Sequence, residues 1–166
     1  MVLYEVYFQF DFIMIVPVLM LVSIILFPRI MDKAMERTKE VKYNKKFVRI
    51  FCTFALIFVV LIGGLGYWGL FDMYQEVVGA YKDGDYEIVE GYVENFEPMP
   101  YEGHAQESFD INGVHFEYSD YTLGVGYNNA KSHGGVIHGD GQHLKIGYVY
   151  HGPEHGNIIV YIEEIL

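Results

Sequence analysis

The chain has 166 residues, 52% apolar and 20% charged, with a formal net charge of −11. That length suits one modest domain with additional segments. Its single cysteine, Cys52, excludes an intrachain disulfide and a structural zinc site built from several cysteines.

The averages conceal two unlike halves. The first charge-free run is FIMIVPVLMLVSIILF, Phe12–Phe27, closed by Pro28-Arg29. Sixteen residues rise about 24 Å, so a bilayer span needs several upstream residues and is predicted over about 8–27. The leader MVLYEVYFQFD is acidic and aromatic, unlike the basic leader of a signal peptide, and predicts an uncleaved helix. A second run, Ile50–Phe71, stays charge-free for 22 residues and predicts a second span over about 50–71.

Between the runs lies PRIMDKAMERTKEVKYNKKFVR, which holds eight of the 11 basic residues. Basic loops remain in the cytoplasm, so residues 1–71 are expected to form a transmembrane hairpin with both chain termini outside. Near the outer end of the second span, GGLGYWG supplies small residues for helix packing, and Tyr67 and Trp68 suit the interfacial aromatic belt.

Residues 72–85 read as a connector that begins helical and breaks at Lys82-Asp83-Gly84-Asp85. From 86 to 166 the pattern changes to period two. Val89, Gly91 and Val93 alternate with Glu90, Tyr92 and Glu94 up to the turn Glu97-Pro98-Met99-Pro100. Next, ESFDI and VHFEYSD flank Asn112-Gly113, a strong hairpin signal. HLKIGYVY places Leu144, Ile146, Tyr148 and Tyr150 on one face, and NIIVYIEEIL closes through Ile158, Val160 and Ile162. Five short strands predict a small all-β barrel, since closure hides the edges a lone sheet would expose.

The succession EGYVENF, ESFDINGVHFEYSD, GDGQHLKIGYV and NIIVYIEE resembles the five-stranded OB-like barrels of small bacterial membrane proteins, those of the NfeD type among them. The resemblance covers residues 86–166. It implies two transmembrane helices followed by an OB-like barrel in the bacterial cytoplasmic membrane, and it carries little about function, because that fold hosts many roles. The insertion of about 20 glycine-rich residues before the fourth strand departs from the plain form.

After position 70 the chain carries three lysines and 17 acidic residues, a formal balance of −14. That argues against nucleic acid or anionic lipid as a partner. All seven histidines fall there: His104, His115, His133, His138, His143, His151 and His155. The stretch KSHGGVIHGDGQH poses a choice between a metal site and a binding loop. Imidazole suits zinc and copper, which makes His133, His138, His143, His151 and His155 the metal candidates. Yet the two four-residue gaps from His133 to His138 to His143 match no compact ligand motif.

Catalysis fares worse. Ser132, His133, Asp120 and Asp140 are triad residue types without a GxSxG elbow, and Gly139 and Gly141 precede a strand rather than a helix. Long loops in compact domains commonly carry function. Tyr121, Tyr127, Asn128, Asn129, His133 and His138 form the adaptable mixture found on recognition surfaces. The expected function is therefore non-enzymatic: a membrane-anchored extracytoplasmic module that binds a protein partner or a second copy, as an accessory or immunity-type subunit. The alternative is an envelope protein binding zinc or copper through loop histidines.

Overall fold

A computed structural model describes residues 1–7, 15–38, 44–102, 105–121 and 124–165. The chain divides into two compact units, Gln9–Phe71 and a β-rich unit of Met1–Phe8 with Asp72–Leu166.

The first unit contains helix α1 (Val16–Thr38) and most of helix α2 (Lys45–Asp83). Asn44 caps α2, its side-chain oxygen accepting from the Lys46 and Phe47 amides at 3.1 Å each. Asp32 of α1 pairs with Lys45 and Arg49 of α2 at 3.1 and 3.5 Å. A Cβ on Gly63 would stand 3.6 Å from the Pro17 side chain. These contacts run the helices antiparallel.

Among the described residues one helix, α2, is long and apolar enough to cross a membrane; its most apolar window has a mean hydropathy of 2.5. This corrects the expectation of two such helices. The described part of α1 is uncharged only over Val16–Phe27, about 18 Å of helix, before Pro28, Arg29, Asp32 and Lys33. Positions 8–14, which the predicted span also needs, lie outside the described residues.

Helix α2 continues through the expected connector. Gly84, at φ +75°, ends it, and the Asp85 amide returns to the Ala80 carbonyl at 2.8 Å. Val77 and Val78 in its last turns are buried against Val6, Ile158 and Val160.

Among the described residues the β-rich unit has seven strands: β1 (Val2–Glu5), β2 (Glu87–Tyr92), β3 (Glu94–Glu97), β4 (Glu107–Ile111), β5 (Val114–Tyr118), β6 (His143–Tyr150) and β7 (Asn157–Glu164). They form two antiparallel sheets, ordered β1-β7-β6-β2 and β3-β4-β5. The expected five-stranded closed barrel is therefore corrected to two packed sheets. Strand β7 already pairs with β6 and β1, and its Ile159 carbonyl accepts from the Tyr127 amide at 2.8 Å. With both sides of β7 occupied, β5 does not pair with it, and the two sheets stay separate. The core between the sheets contains Phe109, Ile111, Phe116, Leu144, Ile146 and Ile162.

Strand β1 was expected to lead into a helix; its Tyr4 and Glu5 instead pair with Ile162 and Tyr161. One chain passes from β2 to β3 at buried Val93, so the first strand serves both sheets. Register along β6–β7 passes from Gly147↔Tyr161 to Tyr148↔Ile159. That bulge reverses the phase of β7: Ile159 and Ile162 face the sheet–sheet core, Ile158 and Val160 face α2. Tyr150, expected on the inner face, is exposed. Asn112 and Gly113 have φ of +49° and +80°, the type I′ geometry the dipeptide predicts.

Candidate functional site

The site rests on a residue that sequence reasoning overlooked. Glu107 opens β4 and is 0% exposed, and no cationic side chain pairs with it among the described residues. Its carboxylate accepts from the Tyr118 hydroxyl at 2.6 Å and the Met99 amide at 3.3 Å. The Lys131 amide donates to both of its oxygens at 3.1 Å. Three segments thus converge on one carboxylate: the β3–β4 loop, the end of β5 and the long loop before β6. Burial, and then Glu107, hold the Tyr118 hydroxyl well above the usual tyrosine range, so it remains a donor. The clue was legible in E-S-F-D-I, where Glu107 occupies the same phase as buried Phe109 and Ile111.

The surface lies two or three residues further along each segment. Tyr101 follows Met99, Asp120 and Tyr121 follow Tyr118, and His133 follows Lys131. His133 Nδ1 makes a short contact with an Asp120 carboxylate oxygen. The His133 ring lies 5.5 Å from the Tyr101 ring and 6.2 Å from that of Tyr121. Both tyrosines are strongly exposed, at 74% and 55%. Beneath them the Ser119 hydroxyl meets the Met99 sulfur at 3.6 Å and accepts from the Tyr121 amide at 3.2 Å.

The long loop is held from below. Tyr127, expected at the surface, is 6% exposed and stands 5.2 Å from both Tyr4 and Tyr118. Its hydroxyl accepts from the Val136 amide at 2.7 Å, and burial pushes that group up to about 12. Ala130 and Ile137 are also fully buried. Gln142 ties the loop's far end, donating to the Val136 carbonyl at 3.1 Å and accepting from the His138 amide at 2.8 Å.

The predicted residues therefore separate. Tyr121 and His133 share the patch; Tyr127 is core; Asn128 is half-buried at a shallow cleft beside Met73 and His155. Asn129 and His138 are exposed. His143 on β6 stacks on Tyr92 at 4.6 Å and stands 3.8 Å from Glu90. His115 pairs with Asp110 at 2.7 Å. Asn95 first, and His115 after it, draw the Asp110 carboxyl below the usual range. His151 and His155 are neighbours at 5.3 Å between ring centres, with Glu76 at 3.4 Å from His151 Nδ1. His104 lies outside the described residues.

Among the described residues no three His, Cys, Asp or Glu side chains are placed to hold a metal ion. Ser132 Oγ is buried and makes no hydrogen bond, so Ser132, His133 and Asp120 do not form a relay. The arrangement offers an anchored imidazole between two exposed phenols.

No protein-family model, curated protein or solved structure matches the chain, and the NfeD-type resemblance rests on sequence alone.

Proposed function

We propose that the chain is a membrane-anchored recognition module of the bacterial envelope, with its β-rich unit outside the cytoplasmic membrane. Its contact surface is Tyr101, Tyr121 and His133. The observation that carries this reading is the buried Glu107 hub, which fixes the three segments presenting those side chains. Tyrosine is enriched at interface hot spots, and a surface already ordered before binding loses less entropy on association.

Chain parity supports two membrane crossings. Strand β1 pairs with β7, so both lie on one side of any bilayer. If α2 crosses once, the chain crosses again between β1 and α2. The uncharged turns Val16–Phe27 run beside α2 there, through the Pro17–Gly63 contact. The basic segment between the helices supports a cytoplasmic position for that loop. On a Cys52→Ala background, a cysteine replacing exposed Asp85 is expected to react with an impermeant thiol reagent in intact cells. One replacing Lys33 is expected to react only after permeabilisation. The reverse pattern overturns the orientation.

The surface itself is tested with a photo-reactive amino acid at Tyr101, Tyr121 or, as a control, exposed Tyr150. Irradiated native membranes are expected to give a discrete adduct from the first two positions only. In the Tyr101→Ala/Tyr121→Ala protein, partner recovery is expected to fall at least about tenfold, given about 1–2 kcal/mol for each hot-spot side chain. Equal adducts at all three positions, or undiminished recovery, sink the assignment.

A further inference from the structure

We propose that the connected ends of α1 and α2 bind the headgroup of an anionic phospholipid through one cationic face: Arg29, Lys33, Lys45, Lys46 and Arg49. The inference rests on the membrane reading above and not on its recognition surface. From Pro28 to Arg49 the chain carries eight basic and three acidic residues, a formal balance of +5. The five named cations are all exposed. Half-buried Ile24, Pro28 and Met31 of α1 and Val48, Cys52 and Ala55 of α2 mark the seam between the helices.

At about 100° per residue, Asp32, Arg29 and Lys33 follow one another away from that seam around α1. Lys45, Arg49 and Lys46 do the same around α2. Because the helices are antiparallel, both series turn to one side of the hairpin. The ion pairs from Asp32 to Lys45 and Arg49, at 3.1 and 3.5 Å, join them there. One carboxylate thus stands among five cations. Among the described residues no carboxylate pairs with Arg29, Lys33 or Lys46. Exposed Ile30 and Phe47 fall on the opposite side.

Depth favours a lipid. Between the Pro17–Gly63 and Asp32–Arg49 contacts, Pro17 to Asp32 is 15 residues of α1 and Gly63 back to Arg49 is 14 of α2. That register sets Arg29 about level with Phe51, at the start of the charge-free run of α2. Lys33 and Lys46 stand about one turn further out. Charges on both helices therefore begin at the hydrocarbon boundary, beside the phospholipid phosphates. Guanidinium and ammonium groups both donate to phosphate oxygens, and basic pockets between membrane helices take anionic headgroups. A zwitterionic headgroup brings its own cation, which five like charges repel, so charge selects the anionic lipid. Ile30 and Phe47, 61% and 66% exposed, suit the boundary between headgroups and acyl chains, which a soluble anion would leave uncovered.

The test uses the full chain, stripped of lipid in a neutral detergent and offered equal amounts of phosphatidylglycerol and phosphatidylcholine with the same acyl chains. Native mass spectrometry counts the adducts. Phosphatidylglycerol is expected to be preferred by at least about tenfold. In the Arg29→Gln/Lys33→Gln/Lys46→Gln protein the preference is expected to fall to within about twofold, with the helical circular dichroism kept. The charge-conserving Arg29→Lys/Lys33→Arg/Lys46→Arg protein is expected to retain it, as is Lys131→Gln/Lys145→Gln in the β-rich unit. Equal binding of the two lipids by the wild type overturns the proposal whatever the variants' stability. So does a preference that survives the triple glutamine change. Inorganic phosphate that abolishes the preference, where chloride of the same ionic strength does not, assigns the face to a soluble anion and also overturns it. Orientation is read separately by thiol labelling, and the recognition surface by photo-crosslinking.

Discussion

Glu107→Ala is expected to destabilise the β-rich unit by about 3–5 kcal/mol, because it strands several buried donors at once. The Tyr118 hydroxyl and the Met99 and Lys131 amides would lose their acceptor together. Glu107 is fully buried, and a water filling the space it leaves accepts from at most two of these three donors. Cavity formation adds to the loss. Glu107→Gln separates the causes: it keeps the volume but turns an NH2 towards groups that also donate. Roughly half the alanine penalty is expected. Chemical denaturation of the full chain in detergent measures both, and amide exchange should quicken first at Met99 and Lys131. A loss below about 1 kcal/mol for the alanine variant would mean that the hub bears little of the structure.

The same substitution bears on function. Tyr101, Tyr121 and His133 sit on segments that Glu107 holds, so Glu107→Gln should lower photo-crosslinking from position 101 even where the protein remains folded. Truncating a tyrosine removes contact area; replacing Glu107 leaves every contact side chain in place and loosens where it stands. Reduced capture with intact tyrosines therefore isolates preorganisation from contact.

What was legible in the sequence was local. Asn112-Gly113 demanded a hairpin because few dipeptides tolerate two positive φ angles, and the turn is there. Alternation in ESFDI and HLKIGYVY found β4 and β6, and the charge-free run Ile50–Phe71 found the apolar part of α2. What was missed depends on distant partners. VLYE has no strand signature of its own; it becomes β1 only because β7, at the other end of the chain, offers it an edge. The single Val160 bulge reassigns Ile158 and Val160 to the cluster with α2, a change that strict period two does not foresee.

At the site, composition suggested an adaptable loop, whereas Tyr127, Ala130 and Ile137 anchor it in the core without any periodicity. Residue type alone did not separate Tyr127, whose ring packs against Tyr4 and Tyr118, from Tyr121, which faces solvent. The metal candidates divided similarly. Their spacing in sequence drew attention to His133, His138 and His143. The fold instead brings His151 and His155 together around a four-residue helical turn, with Glu76 of α2 beside His151.

Gly135→Ala is expected to cost about 2–4 kcal/mol, an overpacking penalty that the surroundings cannot relieve. A Cβ there would stand 2.1 Å from the Asn129 carbonyl oxygen, 2.7 Å from the Tyr127 hydroxyl and 2.8 Å from the Ala130 carbonyl carbon. Two of those obstacles are backbone, and the third belongs to a ring wedged between Tyr4 and Tyr118. Relief requires breaking the Gly135 N–Ala130 O bond at 2.9 Å or the Val136 N–Tyr127 Oη bond at 2.7 Å. Either break loosens the turn that carries His133. Gly134 is the internal control. Its φ is +93°, yet nothing lies within 4 Å of where its Cβ would be. Gly134→Ala therefore meets conformational strain alone, about 1–2 kcal/mol. The midpoints of those two ranges differ by about 1.5 kcal/mol, so denaturation curves should place Gly135→Ala as the weaker protein. Equal stabilities would mean that the loop is loose enough to move aside, and a loose loop is not the preordered surface proposed for recognition.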